Sequence, residues 1–330
     1  MEDLKMNQLK KMSLTALTAM SLLGATLVVL PQSAGATTDG IDTTVVDEKW
    51  GKPTFIYGGG LSESQITETE ALLEINDPEN VAIDSVSGQD LVDYLGEGSG
   101  NTASMISSVL VQKQDVGDGV DVEIVTPENI SQITQDQYAN AAITAGVNDV
   151  KIEVASVRKV TGESALTGIY KAFDVNGEEL DQERMAVAQD ELETTNEIAQ
   201  ENVEDEAFDT AKFDQAIIDI KQSLADLKEQ QGELATKEDV QRIINEALEK
   251  NNLQDAVTQE QIDRLMALFE KYQQTSAIDS DQVKEQLSNL SNTVQDKFGD
   301  ALQQAEDSGL LDKIGNFFSQ IWAAIKGLFE

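Results

Sequence analysis

The sequence predicts an α+β or α/β fold, a mixed sheet with packed helices, followed by an all-α C-terminal region. Three observations carry that reading. Every proline lies at or before Pro127, and only six of the 22 glycines lie at or after Gly177. Up to about Gln200, short strand-like runs alternate with capped helical stretches, the pattern of helices laid on a sheet. Beyond about Glu201 the chain is proline-free and rich in Gln, Glu, Asp, Lys, Ala and Leu, as bundled helices tend to be. The expected organisation is a leader over 1–36, an α/β unit over 37–200 and an acidic helical region over 201–330 ending in an amphipathic helix at 309–330.

The leader comes first in the chain. Lys5, Lys10 and Lys11 precede an apolar run from Met12 to about Leu30, and Ala34 and Ala36 form an A-x-A cleavage pattern. This predicts a secretory signal peptide cut after Ala36, whether translation starts at Met1 or Met6. An uncleaved anchor is the competing reading, because the run nearly reaches bilayer-spanning length. Interspersed Ser and Thr and the small-residue exit favour cleavage. "LPQSAG" at Leu30 to Gly35 looks like a wall-sorting signal at the wrong end of the chain.

In the α/β unit, "TFIYGGG" reads as a strand stopped by glycines, and Ser62 with Gln65 forms a capping box for a helix to about Ile75. "VAIDSV" is a second strand, followed by a short helix at "DLVDYL". "ASMISSVLVQK" and "VDVEIV", joined across "GDG", are expected to pair as a hairpin. Thr134 with Gln137 caps a helix at "QYANAAITAG", and "VKIEVASV" returns as a strand. In "VTGESALTGIYKAF", Leu166, Ile169, Tyr170 and Phe173 recur at helical spacing, with Thr161 or Ser164 expected to cap the first turn.

The helical region keeps nearly heptad spacing in Phe213, Ile217, Ile220, Leu224 and Leu227, and again in Val283, Leu287, Leu290 and Val294. Thr236 with Asp239 and Thr258 with Gln261 read as further capping boxes. In the last helix, Phe317, Phe318, Ile321, Trp322, Ile325 and Phe329 belong to one broad apolar stripe. Its polar face is almost neutral, whereas a membrane-surface helix usually carries a basic one. Docking on the preceding helices or self-association is favoured over membrane or wall-polymer contact, and both stay open.

Composition excludes whole classes of chemistry. Histidine and cysteine are absent from the 330 residues, which removes Ser-His-Asp and Cys-His catalysis, the usual zinc and copper ligands and thiolate-bound clusters. The 23 basic residues against 61 acidic ones give a net charge of -38, spread along the chain. Such a surface repels nucleic acid and anionic lipid head groups. Solubility, divalent cations or a basic partner are the uses left for it.

The remaining motifs are weak. "GESAL" offers half a nucleophile elbow around Ser164, without the closing glycine or a histidine. Ser156 and Lys159 match S-x-x-K, but on a strand their side chains point to opposite faces. "DVNGEELDQERM" from Asp174 has Glu179 and Met185 where a calcium loop needs Gly and Glu. "DVGDGVD" from Asp115 reads as a turn, and Gly58 to Gly60 lacks the phosphate-loop lysine. No catalytic, cofactor or metal residues are therefore assigned, and only weak divalent-cation binding by scattered surface carboxylates is expected.

The stretches "YGGGLSESQ", "ISSVLV", "ENISQITQDQYANAAITAGV", "KVTGESALTGIYKAF" and "AQDELETT", within Lys49 to Gln200, resemble a family of secreted Gram-positive proteins known as domain of unknown function 1002. The family pattern has small residues and a proline near Ser156 to Lys159, and Thr-Ala where this chain has Glu163-Ser164. The resemblance implies export to the cell surface or medium and no established enzymatic activity. It transfers no catalytic residues. The functional expectation is a secreted or cell-envelope-associated, non-enzymatic interaction module. The alternative is an extracellular hydrolase using Asp or Glu on cell-wall material.

Overall fold

The computed structural model describes residues 40–43 and 49–307. Both the leader and the predicted helix at 309–330 lie outside them. Five strands form one mixed sheet in the order β2-β1-β3-β5-β4. Thr54–Gly58 (β1) and Ala82–Val86 (β2) run parallel, joined by a crossover through helix α1 (Glu63–Leu72). The β1 strand pairs antiparallel with Ser108–Lys113 (β3), which pairs antiparallel with Val150–Ala155 (β5). Val120–Ile124 (β4) closes the far edge, parallel to β5.

The expected hairpin between β3 and β4 does not form, because β5 enters between them. Asp149 decides this. Its Oδ1 accepts the backbone N–H groups of Gly117 and Gly119, at 3.0 and 3.2 Å, and the Gln286 side chain at 3.0 Å. The Gln114 N–H bonds to the Asp149 carbonyl, so the turn wraps the start of β5 instead of folding β4 onto β3. Val150, Ile152 and Val154 are completely buried, which suits a strand flanked on both edges better than β4, whose Asp121 is exposed.

The helices named from the sequence form, with one exception at a cap, and Gln182–Glu201 adds a helix that the sequence reading did not name. Gly88–Leu95 (α2), Gln135–Ala145 (α3), Ser164–Val175 (α4) and Gln182–Glu201 (α5) complete the first part. Thr210–Gln231 (α6), Lys237–Lys250 (α7), Gln259–Tyr272 (α8) and Asp281–Asp307 (α9) follow. Capping boxes are present at Ser62, Thr134, Thr236 and Thr258. Neither Thr161 nor Ser164 caps α4. Glu163 precedes the helix already in helical conformation, and the Thr161 hydroxyl donates to Glu163 Oε2 at 3.2 Å instead.

One apolar core runs from the sheet face bearing Ile56, Val109, Val111, Ile152 and Val154, through α3 and α4, into α5 to α9. Helix α3 is central, with every residue from Gln137 to Ala145 buried. Ala139, Ala141, Ala142 and Ala145 let neighbours approach it on all sides, and it contacts β4, α4, α5, α6 and α9. The heptad residues of α6 and α9 belong to this same core.

At the hub of that packing sits an ion pair. Lys221 of α6 and Glu191 of α5 are 0 and 2 % exposed, with Nζ to Oε1 at 2.6 Å. Lys221 also donates to the Asn140 carbonyl and to Thr144 Oγ1, both at 3.0 Å, and the Thr144 hydroxyl donates to Glu191 Oε2 at 2.6 Å. The Tyr272 ring of α8 lies 5.8 Å from the ammonium. Burial lowers the Lys221 pKa, opposed by Glu191. Arg184 of α5 donates to the Ile143 and Thr144 carbonyls at the end of α3, a favourable site for a cation.

The opposite sheet face carries a smaller cluster, in which Phe55, Leu110 and Ala155 meet Leu73, Ile75, Val81 and Ile41. Glu153 lies among them, 3 % exposed, next to its parallel-strand register partner Glu123. The Ile41 N–H donates to Glu153 Oε1 at 2.5 Å. Burial raises the Glu153 pKa, partly offset by that bond and by Lys151, while Glu123 and Glu74 add to the rise.

Two predictions follow from these buried charges. Lys221→Met or Glu191→Gln alone strands a buried polar partner and lowers stability by about 3–5 kcal/mol, whereas Lys221→Met with Glu191→Leu recovers most of the loss; urea unfolding measures both. A carboxyl with a raised folded pKa favours the native state most at low pH, and that contribution is lost as pH rises through the folded pKa. Glu153→Gln, which keeps the acceptor for Ile41, therefore raises the melting temperature at pH 7 by roughly 2–4 °C. The gain shrinks as pH falls toward the ordinary value of 4.5, as thermal melts across that range will register.

Candidate functional site

A cleft of about 500 Å³ opens where α2, α4 and α5 meet. Three ties hold those helices in place. Lys171 of α4 pairs with Asp90 of α2 at 3.0 Å, the Tyr94 hydroxyl donates to Asp174 at 2.9 Å, and Gln182 at the start of α5 donates to the Asp93 carbonyl at 2.9 Å. Burial alone would raise the Asp90 pKa, but bonds from Ser87 and Lys171 hold it below the usual carboxylate value.

Leu91 and Leu95 of α2 form one wall, continued by Glu97 and Gly98 beyond the helix end. Met105 lies behind them, after the short 3-10 turn Thr102–Ser104. Val160 to Glu163 and the first turn of α4, with Ser164 and Thr167, make the second wall. The third is the face of α5 carrying Ala186, Gln189, Asp190 and Glu193.

Gly162 is what allows the second wall to turn. It has φ +104°, and a Cβ there would lie 2.4 Å from Tyr138 Oη and 2.8 Å from Ile130 Cγ2. The Tyr138 hydroxyl donates to the Gly162 carbonyl at 2.8 Å, and the Val160 N–H bonds to the Asn129 carbonyl at 3.0 Å, fixing the loop to α3 and to the segment before it.

The cleft is acidic and partly unsatisfied. Glu97, Glu163, Asp190 and Glu193 line it, and among the described residues no Lys or Arg does. Asp190 is paired on its outer side with Lys271 of α8 at 2.5 Å. Packing of the Glu193 carboxyl against the wall raises its pKa, the bond from Gln189 opposes this, and the charges of Glu163, Asp190 and Glu197 add to the rise. Gln189 is 7 % exposed; its Nε2 donates to Glu193 Oε1 at 2.7 Å, and its Oε1 is buried without a hydrogen-bond partner among the described residues. Thr167 is fully buried, and its hydroxyl likewise has none. A helical Thr often bonds back to the preceding turn, and this one is buried without that bond.

The motif residues are dispersed. Ser156 is buried with its hydroxyl donating to the Arg158 carbonyl at 2.7 Å, while Lys159 is exposed, so they form no dyad. Carboxylates of the Asp174 segment are engaged separately: Asp174 with Tyr94, Glu178 with Trp50 and Lys113, and Asp181 as the α5 cap. Gly58 abuts the Met105 carbonyl, 2.4 Å from where a Cβ would sit, so the glycine run serves close backbone approach. Among the described residues no group of three or more Asp or Glu is arranged to hold a metal ion. The contact residues Phe317, Phe318, Ile321, Trp322, Ile325 and Phe329 lie outside the described residues.

Ser164 does line the cleft, in company that motif reasoning did not assemble. The signal for α5 was present in "MAVAQDELETT". Ala186, Gln189, Asp190 and Glu193 recur at i, i+3, i+4 and i+7, beside the core stripe of Met185, Ala188, Leu192 and Thr195. Two of the five stretches that carry the family resemblance, around Gly162 and Gln189, form two of the three walls.

Comparison with known proteins agrees with that resemblance. No solved structure matches the chain. The uncharacterized protein YpuA of Bacillus subtilis (strain 168) is 31 % identical over 293 residues, covering 87 % of this chain and 93 % of the relative. The profile of a family described as "Protein of unknown function (DUF1002)" matches residues 57–290, from the end of β1 through the other four strands and most of the helical region, and the chain belongs to that family.

Proposed function

We propose that the protein is an exported, envelope-associated binding module whose ligand occupies the cleft between α2, α4 and α5. The supporting observation is the recess itself, about 500 Å³ in volume, with Leu91, Leu95, Met105 and Val160 on its apolar side and Glu97, Glu163, Asp190 and Glu193 among its polar lining. A concave site that joins apolar walls to a few polar groups is the usual form of a small-ligand pocket. Absence of histidine and cysteine from the whole chain leaves few groups for turnover.

Export rests on the basic, apolar and A-x-A order of residues 1–36. Protein recovered from the envelope or medium is expected to begin at Thr37, as amino-terminal sequencing will read. The apolar stripe through Phe317, Trp322 and Phe329 is assigned the role of partner, surface or self-contact. Deleting Leu310 to Glu330 is expected to release the protein from cells or from its oligomer. Unchanged fractionation together with unchanged sedimentation rules that role out.

One observation favours a second reading. Glu193, whose pKa is raised by burial, has the character of a general acid and lies beside the carboxyl groups of Glu163 and Asp190. Purified protein incubated with cell-wall material separates the two readings. Retention without soluble fragments is expected of the module, while fragment release that Glu193→Gln abolishes identifies the hydrolase.

A further inference from the structure

We propose that residues 40–43 form a proton-gated strap, held against the sheet while Glu153 is protonated and released as Glu153 ionises. The strap lies on the sheet face opposite the one that bears α3 and α4. Ile41 and Thr43 are buried while Asp42 between them is exposed, so the segment lies flat with one side turned in. The Ile41 side chain joins Phe55, Leu73, Val81, Leu110 and Ala155 in the smaller apolar cluster. Its N–H donates to Glu153 Oε1, and Gly40 comes so close that a Cβ there would lie 3.2 Å from the same oxygen. The strap thus closes over a carboxyl group that is left 3 % exposed.

A carboxyl in that position is easier to keep neutral than charged. Glu123 is its register partner on the parallel strand β4, so both side chains leave the sheet on the same face. Glu123 Oε2 is itself buried, with no hydrogen-bond partner among the described residues. Two ionised carboxylates so placed repel each other, whereas one proton between them supplies a donor where only acceptors stand. The other charged groups on this face are Lys151 of β5, Asp121 of β4 in register with it, Glu74 after α1 and Asp42 of the strap. Glu70 stands one turn after Ile66 on α1, and Tyr57 of β1 lies at the rim of the cluster. Acids outnumber the one base, so the surroundings favour the proton.

The sign follows from which state holds the proton more tightly. With the strap down, burial raises the Glu153 pKa, Glu123 and Glu74 add to the rise, and the Ile41 bond and Lys151 oppose it. Lifting the strap returns water to the carboxyl and brings its pKa back toward the ordinary 4.5. Docking is therefore strongest below that value and weakens as pH rises through the higher, docked one. Only a short segment has to move, because the main core, with Ile152 and Val154, lies on the other sheet face. Release uncovers Phe55 and Leu110 and frees the chain just downstream of the predicted cleavage point after Ala36.

The test follows the isoleucine methyl groups of the purified protein by NMR from pH 5 to pH 8. The Ile41 methyl is expected to pass from a docked to a released signal, the ratio of docked to released falling at least fivefold, while the Ile152 and Ile169 methyls of the main core stay unchanged. Glu153→Gln keeps an acceptor for Ile41 and offers Glu123 an N–H donor at every pH, so it is expected to hold Ile41 docked throughout. Glu123→Gln removes the neighbouring charge without touching the bond to the strap, and is expected to shrink the pH-dependent change at least twofold. Should Glu153→Gln fail to fold, Glu123→Gln decides the matter alone. An Ile41 signal constant over this range overturns the proposal, as does a change that Ile152 shares or one that persists undiminished in either variant.

Discussion

The structure depends on keeping one ammonium and one carboxylate together in a place that water does not reach. Lys221 and Glu191 are each anchored by more than the other: Thr144 bridges them, the Asn140 carbonyl takes another ammonium proton, and the Tyr272 ring covers one side. Four helices, α3, α5, α6 and α8, therefore have to meet in a single register. Apolar packing alone tolerates sliding among helices of similar composition, whereas a buried charge without its partner costs several kcal/mol. The pair thus ties the helices after Glu201 to the unit built on the sheet.

That same arrangement builds the cleft. Helix α5 has Glu191 turned inward, and its neighbours Gln189, Asp190 and Glu193 line the cleft. Fixing Glu191 against Lys221 fixes the rotation of α5, and with it the angle at which Gln189 and Glu193 face α4. Arg184 at the start of the helix, bonded to the end of α3, fixes its position along the axis. The acidic wall is therefore held in place beside Gly162, and a preorganised recess binds at lower entropic cost than a mobile one. Part of the chain's excess of acid over base is brought together here by the shape of the recess.

Much of the secondary structure was legible locally. Capping boxes at Ser62, Thr134, Thr236 and Thr258 act within one turn, so the sequence alone contains both partners. The stripes of α4, α6 and α9 were equally readable, because helical period places their apolar residues on one face. The β3–β4 pairing was misread for an opposite reason. A Gly-Asp-Gly turn fits a hairpin, and nothing near it shows that Asp149, thirty residues on, collects the turn's N–H groups and brings β5 between the strands. Likewise the start of α4 had two good capping residues, but the Tyr138 hydroxyl holds Gly162 in a conformation that bypasses both.

By itself the sequence determined the class of fold, the acid excess and the absence of imidazole and thiol chemistry, since these are properties of composition and of contacts a few residues long. It also contains Glu191 and Lys221 as two charged residues among many, with no sign that they are buried. Tertiary structure alone decided the strand order, the ion pair and the cleft. Each joins residues far apart in the chain, and which charges lose their water depends on what packs over them.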